Sequence, residues 1–215
     1  GQSYEHWRLI LIDDISDEHN KNQCRLVVDQ FKNLVGDSKI LYIENDVKKW
    51  EVENVLNGIS MINDDEIVCR IDADDWLVDL DALTMIDQVY QSTSCDALWT
   101  AHRWGFSDKN ISGPMKLGAD PYKHPWVSSH LKTFKKKLIN NINDENFRGE
   151  DGKYVRRAGD QAIYLPVLHK TSSRVFLPRV TYHYTIDDIP DTYQSHDAKF
   201  QKSEAEFIRA RGFVS

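Results

Sequence analysis

The sequence predicts an α/β fold, and three observations carry that prediction. Short, almost wholly apolar runs recur through the first hundred residues, the pattern of strands buried on both faces. Between them lie segments whose apolar residues fall at i, i+3, i+4 and i+7, the spacing of amphipathic helices. Each such segment is long enough for a crossover, so the strands it joins are expected to run parallel. Ligands of these sheets sit beyond the carboxyl ends of the strands, which directs attention to the residues after each apolar run.

Taken in order, Trp7 to Ile12 is the first strand. A polar stretch leads to Cys24–Leu34, where Leu26, Val27, Phe31, Leu34 and Val35 mark a helical face. Lys39 to Ile43 reads as the second strand, and Val52, Val55, Leu56, Ile59 and Ile62 mark the next helix. Glu66 to Ile71 is a third strand, Leu77 to Tyr90 a third helix and Ala97 to Ala101 a fourth strand. Ser107 to Trp126 is broken repeatedly by glycine and proline and reads as a long loop, a kind of segment that is often functional. Leu131–Asn140 and Asp160–Lys170 read as short helices, and Asp197 to Arg211 as a terminal one. Arg174 to Tyr184 is strand, with Pro178 marking an edge or a bulge. No internal repeat or low-complexity segment interrupts this order.

The 215 residues suit one domain. Residues 1–100 are the regular half and 101–215 the irregular one. Apolar residues make up 40% and charged ones 28%, with 10 Gly and 6 Pro, which excludes a collagen-like or wholly disordered chain. Lys and Arg number 27 against 34 Asp and Glu, a net charge of −7 that argues against a protein coating nucleic acid or anionic membrane. Three cysteines, Cys24, Cys69 and Cys95, are too few for a disulfide scaffold and too far apart for a zinc knuckle, so reduced thiols in the cytoplasm are expected. No apolar run is long enough for an integral membrane segment, and no signal peptide is read.

Two carboxylate clusters stand just past the ends of buried strands. Asp13-Asp14 follows the first, in a segment equally suited to helix capping. Asp72-Ala73-Asp74-Asp75 follows the third. Three carboxylates in four residues repel one another unless a cation or strong donors lie among them. Hard oxygen ligands suit Mg²⁺ or Mn²⁺, and such an ion completes its shell with phosphate oxygens and water. The glycine and distal glutamate of an EF-hand loop are missing.

Gln2-Ser3-Tyr4 through Ile12-Asp13-Asp14-Ile15-Ser16-Asp17, the DxDD stretch Asp72–Asp75 and Arg157-Ala158-Gly159-Asp160-Gln161-Ala162 together resemble, in order and spacing, the motifs of family 2 glycosyltransferases. The resemblance implies a GT-A, Rossmann-like fold: a mixed, mainly parallel sheet flanked by helices. Residues 1–100 would be its nucleotide-sugar-binding half, lacking the first β-α unit, and 101–215 its acceptor-binding and catalytic half. Ser129–Phe134 with Tyr182-His183-Tyr184 resembles a viral and bacterial subgroup, including chlorella-virus-encoded glycosyltransferases, whose setting would be the host cytoplasm.

By the same resemblance Asp14 accepts from the uracil N3–H of a UDP-sugar, with Asp13 beside it, and Asp72 touches the ribose. Asp72, Asp74 and Asp75 hold Mn²⁺ or Mg²⁺, with the choice between Asp74 and Asp75 open. Asp160 takes the proton of the hydroxyl of a glycan or glycoprotein acceptor; it also suits a helix N-cap. Asp151, beside Glu150 in a glycine-flanked turn, is the rival base. Two departures stand out. Gly159 precedes the base where many relatives carry Glu, and Asn54-Val55-Leu56-Asn57-Gly58 lacks the donor-binding Arg of the usual stretch. Arg103, Lys48 or Lys49 would supply that charge. His183 is a further metal ligand or a core histidine, and His130 a diphosphate or acceptor contact. Trp104 and Trp126 flank the acceptor loop, whereas Trp99 reads as core. The lysines of 132–137 read as a solvated helix face. A sugar-phosphate nucleotidyltransferase would need a glycine-rich GxGxR loop, which is missing. A nucleotide-sugar-binding module without turnover shares all the other features.

Overall fold

A computed structural model describes residues 1–105, 107–185 and 191–215. Strand β1 (Leu9–Asp13) leads to helix α1 (Glu18–Val35), followed by β2 (Ile40–Glu44), α2 (Trp50–Ser60) and β3 (Ile67–Arg70). Next come β4 (Trp76–Leu77), α3 (Ala82–Thr93), β5 (Ala97–Trp104) and β6 (Lys132–Lys135). The chain closes with α4 (Gly159–Lys170), β7 (Arg174–Tyr184) and α5 (Asp191–Arg211). Helix α1 starts earlier than its apolar face suggests, because Asp17 caps it by accepting from the Asn20 amide at 2.9 Å.

The strands form two sheets, a parallel β1–β2 pair and a five-stranded sheet ordered β3-β6-β5-β7-β4. The expectation of a mixed sheet flanked by helices is met. The two longest ladders, β1–β2 and β5–β7, are parallel, and the shorter β3–β6, β5–β6 and β4–β7 ladders are antiparallel. Since β3 and β5 both oppose β6, they run in the same direction, and the start of β6 meets the carboxyl end of β3 and Trp99 within β5.

Side chains alternate across the central strands. Ala97 and Trp99 of β5 enter the main core with Phe134, Tyr164, Leu165 and Leu168, while Leu98 joins a second cluster with Ile86, Tyr90 and Tyr182 against α3. Helix α2 bridges the two sheets: Val52 and Ile59 belong to the main core, and a Cβ on Gly58 would stand 3.6 Å from Ile12 of β1. Pro178 lies in β7 where the register against β5 jumps from Leu177 to Val180, the bulge its ring demands.

Two sequence expectations give way. Leu131–Asn140 is not a helix: Lys132–Lys135 pairs on both sides as β6, and only a single 3₁₀ turn follows. The lysine run is therefore no solvated helix face, for Lys132 is 3% exposed. Leu77, taken as the start of the third helix, instead pairs with Tyr182 in β4, next to Trp76 against His183. Sheet pairing has overridden local helical spacing in both places. Among the described residues no helix is long and apolar enough to cross a membrane.

Candidate active site

The carboxyl end of β1 delivers Asp13 and Asp14. Asp13 accepts from the Ser16 amide at 2.8 Å. Burial works against its charged form, but the Ser16 hydrogen bonds and the charge of Lys21 prevail and hold the carboxyl below its usual range. Asp14 Oδ1 accepts from Asn45 Nδ2 at 2.9 Å and from the Lys49 amide at 2.8 Å. Its Oδ2 accepts from the Trp50 amide at 2.9 Å, with Lys48 Nζ at 3.5 Å. These donors overcome burial and lower the Asp14 pKa to about 2. The carboxylate thus secures the start of α2, where Trp50 adopts the left-handed φ of 64°.

The carboxyl end of β3 delivers the second cluster. The Asp72 amide donates to the Tyr182 hydroxyl at 3.1 Å, and that hydroxyl donates to Asp75 Oδ2 at 2.6 Å. The Thr185 amide holds Asp75 Oδ1 at 2.7 Å. Asp72, Asp75 and His130 each offer one ligand atom, and these three atoms lie within 4.8 Å of one another. His130 stacks on Tyr182 with centroids 4.8 Å apart. Burial, then the charges of Lys132 and Arg70, push its pKa far down, so the imidazole is neutral, the form that ligates a metal. Asp74 is not in this trio, although its carbonyl accepts from the Thr185 hydroxyl. His183 is also elsewhere, stacked on Trp76 at 3.7 Å and accepting from Arg103 Nε at 3.1 Å.

Behind the trio lies a buried charge cluster. Arg70 and Lys132 are direct cross-strand partners, an arrangement that repels unless carboxylates intervene. Arg70 reaches both Asp72 and Glu51 at 2.6 Å. Asp160, in the first turn of α4, lines a small cavity of about 10 Å³ together with Arg70 and Lys132. Ala158, not Asp160, occupies the N-cap position, and Asp160 Oδ1 accepts from the Gln161 amide at 2.7 Å. Burial raises the Glu51 pKa to about 7 against the pull of Arg70, and lowers that of Lys132 to about 8. Gly159 finds its reason here: a Cβ would come within 2.6 Å of Glu51 Oε2. A carboxylate from α2 fills the space that a side chain at 159 would take.

Of the remaining expected residues, Asp151 is exposed in the turn and pairs with Arg156 at 3.0 Å. Trp126 is partly buried against the main core, and Trp99, also core, donates to the Gly113 carbonyl at 2.9 Å. Sequence reasoning missed Glu51, Arg70, Lys132, Tyr182 and Glu204. The last accepts from the amides of Arg156, Arg157 and Ala158 at 3.0, 2.7 and 3.1 Å, tying the approach to Asp160 onto α5. Only Arg70 carried a usable signal, a charge ending a buried strand two residues before Asp72.

No protein-family model and no curated protein matches the chain. Solved structures do. S. aureus TarS residues 1–349 superposes with a TM-score of 0.62 at 12% identity over 93% of this chain and 62% of that one. A longer S. aureus TarS structure gives 0.64 at 11% identity, over 94% of this chain and 39% of its own. TarS 1–349 in complex with UDP gives 0.55 at 11% identity over 94% of this chain and 63% of that one. The chain thus spans less than two thirds of these proteins. The likeness establishes a GT-A-like fold.

Proposed function

We propose that the chain is a glycosyltransferase that moves a sugar from a UDP-sugar to a hydroxyl of a glycan or glycoprotein, with Mn²⁺ or Mg²⁺ as cofactor. The observation that carries this reading is one convergence where the end of β3 meets the start of β6. Asp72, Asp75 and His130 stand together there, backed by the Arg70–Lys132 pair that Asp160 also faces. The fold shared with a protein crystallised with UDP supports a nucleotide donor. Two carboxylates and a neutral imidazole suit Mn²⁺ better than Mg²⁺, which favours oxygen ligands alone. Bound there, the ion supplies charge neutralisation for the departing UDP. Asp14 Oδ2, with a lone pair left beyond the Trp50 amide, accepts from the uracil N3–H. Arg103, which among the described residues donates to His183 through Nε alone, offers its terminal nitrogens to a phosphate oxygen. Asp160 accepts the proton of the acceptor hydroxyl as that oxygen attacks the anomeric carbon and the bond to UDP breaks.

A panel of UDP-sugars, read by UDP release with Mn²⁺ present, tests the reading. Asp160→Asn is expected to lower turnover by about 100-fold or more while UDP titrates as before. Turnover near that of the unchanged protein would remove Asp160 as base. UDP binding without release from any donor would favour a non-catalytic module. Mn²⁺ is expected to raise the melting temperature, and the Asp72→Asn/Asp75→Asn pair to abolish that rise.

A further inference from the structure

Beside Asp14, whose carboxylate stands 3.5 Å from Lys48, lies a cavity of about 380 Å³ whose wall has the opposite charge to the chain as a whole. Lys48, Lys49, Arg148, Lys153 and Arg156 line it, against the single carboxylate of Glu53, in a protein of net charge −7. A volume of this size suits a small ligand.

The cations are held in place and only partly neutralised. Aromatic faces fix several heads: Arg148 lies 4.4 Å from the Tyr154 ring centre, and Lys48 lies 5.2 Å from that of Trp50. Arg157 reaches the same Trp50 ring at 5.1 Å. Arg148 pairs with Asp144 and Arg156 with Asp151, carboxylates that are 50% and 55% exposed. Among the described residues the Arg156 guanidinium gives one nitrogen, Nη2, to its partner. Among the described residues Lys49 and Lys153 have no carboxylate partner. The left-handed turn at Trp50, secured by Asp14, sets the ring into this wall. Such a turn is costly for a bulky residue and clusters at functional sites.

We infer that this cavity binds a phosphate group of a ligand. Guanidinium and ammonium donors converging on one hollow match phosphate oxygens, and bidentate Arg contacts add direction. The inference rests on the transferase reading only for the owner of the phosphate, which is either the donor's diphosphate or a phosphorylated acceptor. The cavity shares no lining residue with Asp72, Asp75 and His130.

Calorimetric titration of the full chain with inorganic pyrophosphate in metal-free, low-salt buffer tests it. The unchanged protein is expected to bind, and the Lys49→Glu/Lys153→Glu pair to bind about tenfold more weakly or worse. Affinity should fall steeply with added salt. A charge-matched control away from the cavity, Lys32→Glu on α1 with Lys199→Glu on α5, should bind as before, and melting curves should show all variants folded. Absence of pyrophosphate binding, or equal affinity in the double variant, overturns the site. UDP that displaces pyrophosphate and weakens in the double variant assigns the phosphate to the donor. UDP and pyrophosphate bound together, with UDP affinity unchanged in the variant, assign it to the acceptor. Pyrophosphate binding without any UDP binding would leave this site standing and remove the UDP-sugar reading.

Discussion

Gly159 and Glu51 illustrate how one residue's absence of a side chain becomes another's position. The carboxylate of Glu51 is held by Arg70 at 2.6 Å, so it cannot retreat from a methyl group at 159 without losing that ion pair. Gly159→Ala is therefore expected to cost about 1–3 kcal/mol of stability. In a Glu51→Ala background the same change should cost close to nothing, a non-additivity that chemical denaturation of the four proteins measures. Asp14 makes a second residue-scale prediction. Its pKa is lowered to about 2, below the ordinary value of 3.8, by backbone and amide donors. A depressed folded-state pKa stabilises the protein above the unfolded value, and that contribution is lost as pH falls from about 4 through 2. Discounted for solvent screening, the carboxylate is worth roughly 1–2 kcal/mol at neutral pH. Asp14→Asn should lower stability by that amount at pH 7 and by progressively less in acid, as urea titrations at several pH values would show.

At the scale of elements, Glu204 of α5 accepts the three amides that lead into α4. Glu204→Ala leaves those donors without their partner, and a loss of about 3 kcal/mol is expected. Because Glu204 touches the approach to Asp160 and no part of β1 or β3, turnover should fall while UDP affinity stays. Calorimetry and UDP-release kinetics on the same variant separate the two effects. The elements also show what periodicity can reveal. Val52, Val55, Leu56 and Ile59 placed α2 correctly because an amphipathic helix writes its own spacing. Asp13-Asp14 and Asp72–Asp75 were visible because they interrupt apolar runs. Lys132 could not be read in the same way. Its burial depends on pairing with Arg70 and Trp99 on two distant strands, and a four-residue strand leaves no period of its own. His130 was singled out without its metal-like neighbours, for the turn of chain that sets it against Tyr182 is a tertiary event. Glu51 reads as one more charge of a helix's first turn until α4 is packed beside it.

Over the whole molecule, the burial of apolar surface is uneven in a way that makes a last prediction. The central strand β5 is covered on both faces along most of its length, yet α1 buries only Val28. Leu26, Val27, Phe31 and Leu34 are 57%, 49%, 52% and 79% exposed, although their spacing is that of a helix built to face a core. Exposed apolar side chains gathered on one helix face favour association. The hydrophobic effect scales with area removed from water, so residues this exposed contribute little to the stability of the isolated chain. Leu34→Lys, which also places a cation in the last turn of α1 where the helix dipole favours it, should leave stability within about 0.5 kcal/mol. Adding Phe31→Gln should change it little more. The same double variant should sediment as a monomer at concentrations where the unchanged chain self-associates. A drop in melting temperature of many degrees would instead mean that this face is packed in solution, and sedimentation velocity at rising concentration distinguishes the two cases.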